Sequence, residues 1–296
     1  MTPADPRDVL TRPAPPPDAV LRYGPGPEQV ADLRFPPGWG AAGQGAGGGG
    51  RGAGRVPVLV LLLHGGFWRA AFDRAHLGPL AAALAGENFV VCTPEFRRTG
   101  QPGGGWPGTF DDVAAAVDVL PGLARSAVPG ADADGWPVVL AGHSAGGHLA
   151  LWAAGRHRLG PHSPWYLAGG PRGVGVAGVV ALAPVSDLAA CYRDGLDGDA
   201  AADLLGGGPG SFPERYAAAD PARLVPLGVP VRIVHGTADN RVPFAMSREF
   251  AAQARAAGDE VELTVLEGGG HFDVIDPLSG AWPAVLSAFR SVAEPG

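Results

Sequence analysis

The sequence predicts a wound α/β fold: a mostly parallel central sheet, helices on both faces, and a small excursion over one end. Three observations predict it. Short, largely apolar runs at residues 56–63, 89–92, 138–141, 174–183 and 231–234 are rich in β-branched residues. They lack the alternation of a half-exposed strand, which suits strands buried on both faces. Helical patterns fall between them, at 77–85, 110–124, 145–154, 245–257 and 281–292, so strand and helix alternate as a parallel sheet requires. The hydrophobic content of 46% supplies a core that disordered chains lack.

Each element then follows in order. Residues 1–16 carry five prolines and no periodic pattern, and read as a flexible leader. Residues 17–296 read as one domain. Two short apolar segments, around Leu21 and over 30–35, read as edge strands. Residues 40–54 hold nine glycines in fifteen positions and read as a Gly-rich flexible insertion. The strands and helices named above come next, with a more alternating last strand at 261–266. Residues 187–224 break the alternation. They are Ala/Gly/Asp-rich and locally helical, so they read as a cap-like excursion.

Composition excludes several functions. All 22 cations are arginine. A phosphate-binding Walker loop and a Schiff-base enzyme both need a lysine. The formal charge of −7, without a basic run, argues against nucleic acid. Two cysteines, Cys92 and Cys191, make no disulfide framework. No apolar signal-peptide core is evident near the N-terminus, and the longest apolar run, eight residues, is too short to span a bilayer. A soluble cytoplasmic protein, monomer or homodimer, acting on a small molecule is the expectation. With 48 glycines in the chain, G-x-G-x-x-G matches arise easily. Those at 45–50 and 173–178, for example, precede a strand instead of linking a strand to a helix, and in so Gly-rich a chain such matches predict no dinucleotide site.

Four pieces carry chemistry. Gly142-His143-Ser144-Ala145-Gly146 lies between a buried strand and an amphipathic helix, the context that G-x-S-x-G requires. A serine on such a sharp turn needs small flanking residues and projects its hydroxyl above the sheet. His64-Gly65-Gly66-Phe67-Trp68 ends the strand at 56–63. Bare N–H groups of Gly65 and Gly66, with that of Ala145 after the serine, suit an oxyanion hole. Asp239 sits in a turn after the strand at 231–234, where a carboxylate can fix a histidine tautomer. His271 follows Gly268-Gly269-Gly270 after the last strand. The chain order Ser144, Asp239, His271 is nucleophile, acid, base, each just past a strand's C-terminal end, where open α/β sheets place their sites.

The remaining candidates have plainer readings. Asp187 is the alternative acid; Asp273 is too close to His271 in sequence to orient it. Arg97 and Arg98 suit structural ion pairs or a substrate carboxylate. His148 suits packing beneath the serine turn. No His-Glu-x-x-His pattern occurs, so no metal is expected, and acyl transfer to water through such a triad needs no cofactor.

Together these pieces resemble the α/β-hydrolase-fold serine hydrolases with an HGG oxyanion motif, over about residues 20–292. His64–Trp68 resembles the HGG-aromatic-Trp loop of kynurenine formamidases (arylformamidases). Gly142–Leu149 resembles their nucleophile elbow, with Gly147 where alanine is common. Related bacterial carboxylesterases share much of the pattern. The resemblance implies a serine hydrolase cleaving a small carboxylic ester or an aryl formamide through an acyl-enzyme. Phe67, Trp68, His143 and Phe272 are the expected pocket residues, with Phe67 and Trp68 crowding the acyl side. The alternatives are a ligand-binding protein on the same fold, or a peptidase-like amide hydrolase.

Overall fold

The computed structural model describes residues 6–39, 57–128 and 135–293; the glycine-rich tract expected at 40–54 lies outside them. In chain order the elements are β1 (Ala19–Arg22), β2 (Val30–Arg34), β3 (Val58–Leu63), α1 (Gly78–Gly86), β4 (Phe89–Pro94), α2 (Gly108–Ser126), β5 (Val138–His143), α3 (Ala145–Gly155), the single turn α4 (Gly170–Gly173), β6 (Val176–Leu182), α5 (Leu188–Arg193), α6 (Ala200–Leu205), α7 (Pro213–Ala219), β7 (Val231–Gly236), α8 (Phe244–Ala256), β8 (Val261–Leu266) and α9 (Trp282–Ala293).

The strands form one eight-stranded sheet in the order β1-β2-β4-β3-β5-β6-β7-β8. β2 pairs antiparallel with both β1 and β4, and every pair from β4 onward through β3, β5, β6, β7 and β8 is parallel. The apolar runs form strands because both faces are covered. Alternate residues of β3 enter different cores: Leu59, Leu61 and Leu63 the one to which α2, α3 and α8 contribute, and Val60 and Leu62 the one to which α1 and α9 contribute. Burying one such side chain contributes roughly 2 kcal/mol, so a one-residue slip would misplace both cores. Of the two segments expected at an edge, only β1 lies there; β2 is internal because β4 pairs along its other side.

The leader expected over 1–16 is docked over its described part. Pro6–Leu10 form a 3-10 turn, and Val9 is fully buried with Leu77, Leu80, Val274 and Ile275 in the core on the α1/α9 face. Arg12 makes a two-pronged ion pair with Asp276, its Nη2 donating to Oδ2 at 2.9 Å. Arg34 donates to the carbonyls of Pro15 and Pro16 at 2.6 and 3.1 Å. One apolar side chain and two arginines hold a segment whose composition is otherwise that of a free tail. Residues 187–224 contain α5, α6 and α7, and their buried side chains, among them Leu188, Leu204 and Tyr216, join the same core as α2 and α3.

Among the described residues no helix is long and apolar enough to cross a membrane.

Candidate active site

The turn from β5 into α3 carries Ser144 at φ 57°, ψ −119°, a conformation that costs a non-glycine residue on the order of 1–3 kcal/mol and needs surrounding structure to hold it. That structure is visible. The Ser144 N–H donates to the Leu182 carbonyl at 2.8 Å, and its own carbonyl accepts from His148 and Val185 at 3.1 and 3.2 Å. The flanking glycines are required by space. A Cβ on Gly142 would lie 2.2 Å from the Gly146 carbonyl oxygen, and one on Gly146 would lie 2.1 Å from that of Leu63. The serine turn and the end of β3 are therefore packed backbone to backbone.

The loop after β3 is bent just as tightly. Gly66, Phe67 and Trp68 all have positive φ, at 104°, 48° and 57°. Among the described residues, neither the backbone N–H of Gly66 nor that of Ala145 donates to any carbonyl or side chain. His64 anchors the loop from below: Nδ1 donates to the Gly65 carbonyl and Nε2 to Glu95 Oε1, both at 2.8 Å. Its ring stacks on Phe96 at 4.3 Å.

Glu95 is the buried counter-charge of this loop. Burial alone would raise its pKa, but His64 and Arg98, with the Arg74 N–H, bring it down to about 2. A carboxyl whose folded pKa lies below its ordinary 4.5 contributes stability that is present above that value and lost as pH falls toward the folded one. The difference corresponds to about 3 kcal/mol. Glu95→Gln is accordingly expected to lower the urea-unfolding free energy at neutral pH by about that amount. It should also flatten the fall of stability between pH 4.5 and pH 2. An unfolding curve with the pH dependence of the parent protein would show that Glu95 does not carry this charge.

On the far side of the site, the turns after β7 and β8 bring Asp239 and His271 together. Asp239 Oδ2 accepts from His271 Nδ1 at 2.6 Å and from His235 Nε2 at 3.0 Å. Its Oδ1 accepts the backbone N–H groups of Arg241 and Val242 at 2.8 and 2.9 Å. Burial would raise its pKa, yet the bonds from His235 and His271, helped by the Val242 N–H, hold it well below the usual carboxylate range. His235, fully buried at the end of β7 with Nδ1 2.7 Å from Ser247 Oγ, has no motif of its own beyond sitting four residues before the acid. The spacing was visible; the contact was not.

Ser144 and His271 line one pocket of about 250 Å³ together with Gly66, Phe67, His143 and Phe272. Asp239 lies behind His271, its side chain fully buried. Gly65 and Ala145 flank lining residues without lining the pocket themselves. Trp68 is a correction: it does not line the pocket. Its side chain is 1% exposed and its Nε1 donates to His148 Nδ1 at 3.2 Å, so the ring packs against α3 with its edge to Phe67 at 6.3 Å. His148 Nε2 donates to the Ala219 carbonyl, and burial lowers its pKa to about 4, so the ring is a neutral packing element. His143 is likewise neutral, its pKa pushed down by burial and then by the neighbouring His271. Its Nε2 donates to the His271 carbonyl at 2.9 Å.

The other sequence candidates are engaged elsewhere. Asp187 caps α5 through the Ala190 N–H, and Asp273 accepts from the Gly270 N–H. Arg97 pairs with Asp112, and Arg98 with Glu28 and Glu95. Sequence reasoning missed five lining residues: Arg7, Leu10, Phe72, His76 and Arg241.

Comparison with known proteins adds three findings. The model of the family described as BD-FAE matches residues 51–254. A probable isoprenylcysteine alpha-carbonyl methylesterase ICME from Oryza sativa subsp. japonica is 25% identical over 243 residues. These make up 79% of this chain and 56% of that protein, so the chain spans little more than half the length of this curated relative. Among solved structures, a truncated carbohydrate esterase from gut microbiota superposes with a TM-score of 0.71 at 19% identity, over 93% of this chain and 97% of that one. The bifunctional GH43-CE protein of Bacteroides eggerthii gives 0.68 at 21% identity over 94% and 38% of the two chains. The apo form of Thermogutta terrifontis esterase 2 gives 0.61 at 22% over 93% and 90%. These structural likenesses show the α/β-hydrolase fold.

Proposed function

The chain belongs to the BD-FAE family, an α/β-hydrolase esterase family, and from that premise we propose that it is a serine carboxylesterase for small acyl groups, with aryl formamides as the related amide substrates. One observation carries the reading. A serine held at positive φ on a strand–helix elbow shares a small pocket with a histidine whose Nδ1 donates to a buried, ionised carboxylate.

The proposed chemistry follows from those positions. Asp239 fixes the proton of His271 on Nδ1 and leaves Nε2 bare to act as base. Ser144 Oγ attacks the carbonyl carbon while its proton passes to Nε2. The oxygen that gains charge is met by the N–H groups of Gly66 and Ala145, with Gly65 beside them; one such donor is worth about 3 kcal/mol of transition-state stabilisation. His271 returns the proton to the departing alcohol or amine. Water then attacks the acyl-enzyme by the same route and releases the acid. Every proton that His271 accepts is given up again within the same half-reaction, so the cycle balances in protons without a metal or organic cofactor.

Phe67 forms the wall beside the candidate oxyanion donors and is 5% exposed. On this reading Phe67 crowds the acyl side, so that formyl and acetyl groups are accepted and long chains are not. For a series of 4-nitrophenyl esters, kcat/KM is expected to fall at least tenfold between acetate and octanoate, with N-formyl-L-kynurenine assayed in parallel as the formamide. A rise with chain length would overturn the small-acyl reading. Absence of turnover across the whole series would favour a binding protein on this fold.

A further inference from the structure

The pocket draws its walls from both faces of the sheet. Phe67 belongs to the core to which α2 and α3 contribute. Phe272 and Leu10 pack against the other core, to which α1 and α9 contribute. All three line the cavity of about 250 Å³ that holds Ser144 and His271. Leu10 comes from the segment whose composition reads as a free leader.

That segment is fixed at several points. Val9, next to Leu10, is fully buried in the same core as Leu77, Leu80, Val274 and Ile275. Arg12 is ion-paired with Asp276, which follows His271 by five residues. Ala14 meets the start of α1, where a Cβ on Gly78 would lie 2.9 Å from the Ala14 Cβ. Arg34 donates to the carbonyls of Pro15 and Pro16. Two of these anchors, Val9 and Arg12, flank Leu10 in the chain, so the half-buried Leu10 is held in the pocket wall from either side.

The chemistry divides the pocket. In the proposed reaction His271 returns its proton to the departing oxygen, so the leaving alcohol lies toward His271. Phe272 follows that histidine, with the two rings 5.1 Å apart, and Leu10 packs against the same core as Phe272. Phe67 stands next to Gly66 on the other core, where the acyl oxygen is received.

Resting on the esterase reading above, we propose that Leu10 is a specificity-determining residue, which together with Phe272 bounds the space for the leaving alcohol. The docked N-terminal segment thereby sets how large an alcohol the pocket accepts, while Phe67 sets the acyl group. Both bounding side chains are apolar, so the favoured substrates are esters of compact apolar alcohols of about one ring, and fused-ring alcohols meet the wall.

The test compares two pairs of esters in the full chain. Phenyl acetate and 1-naphthyl acetate share an acyl group, and the parent protein should favour the single ring by roughly tenfold in kcat/KM, the scale of a small misfit in an apolar pocket. Leu10→Ala should raise the naphthyl/phenyl ratio by about threefold or more, less than in a closed pocket because Leu10 is half-buried. Leu10→Trp should lower it. 4-Nitrophenyl acetate and octanoate share a leaving group, and Leu10→Ala should move their ratio less than it moves the naphthyl/phenyl ratio. A naphthyl/phenyl ratio left unmoved by both substitutions, or moved in the same direction by both, would overturn the proposal. So would a larger shift in the acyl pair than in the alcohol pair. Calorimetric binding to the Ser144→Ala protein separates this inference from the catalytic one. Adding Leu10→Ala there should tighten 1-naphthyl acetate relative to phenyl acetate by about threefold or more, even if no ester is turned over by the parent, and an unchanged relative affinity refutes the wall.

Discussion

Ser144→Ala is expected to lower kcat/KM for 4-nitrophenyl acetate by about 10⁴-fold or more, with folding unaffected. The size follows from what is removed. Without the hydroxyl no acyl-enzyme forms, and only oxyanion donors and binding remain; in serine hydrolases these supply a residual acceleration of roughly 10³–10⁴ over water. The fold should survive because alanine keeps the Cβ, and the bonds that hold the turn are made by backbone groups, from Ser144 N–H to Leu182 and from His148 and Val185 to the Ser144 carbonyl. The thermal midpoint should therefore stay within about 2 °C of the parent. A variant that retains a tenth of the activity would remove Ser144 from the role of nucleophile.

Asp239→Asn should rank next, at about 10³- to 10⁴-fold in kcat. The carboxylate accepts four hydrogen bonds, two on each oxygen, from His271, His235 and the N–H groups of Arg241 and Val242. An asparagine amide has one oxygen. Whichever way it lies, its NH₂ faces two donors. If the oxygen serves the backbone groups, the NH₂ turns toward the histidines, and His271 is driven to the tautomer that accepts on Nδ1. Its Nε2 then carries a proton and cannot take another from Ser144. If the amide lies the other way, two buried N–H groups lose their acceptor and the turn loosens. A less than tenfold loss in kcat, with the fold intact, would mean that Asp239 does not set the histidine tautomer.

The sheet and the residues of the candidate site were legible because each is a local pattern. Buried parallel strands are continuous apolar runs, and the serine elbow needs glycines whose absent Cβ atoms, at Gly142 and Gly146, are demanded by neighbouring backbone only about 2 Å from where they would sit. What was not legible is set by contacts between distant parts of the chain. The docked N-terminal turn depends on Val9 and on an ion pair from Arg12 to Asp276, 264 residues away. Arg7, Phe72 and Arg241 meet in one pocket from three separate loops. Trp68 packs inward with left-handed backbone at a residue type that rarely adopts it. His235 reads as the end of a strand until the fold brings its ring against Asp239. Periodicity and motifs report what a segment does by itself, and a pocket's outer wall is assembled after those segments have folded.

The central claim is that Ser144, activated by His271 and Asp239, is the nucleophile. It is tested most directly by covalent labelling with a 4-nitrophenyl alkylphosphonate followed by peptide mass spectrometry. The account predicts one phosphonyl adduct per chain, on the peptide containing Ser144, with release of one equivalent of nitrophenol. Labelling should be absent in Ser144→Ala and at least a hundredfold slower in His271→Ala. An adduct on any other residue, or labelling that persists undiminished in Ser144→Ala, would contradict it.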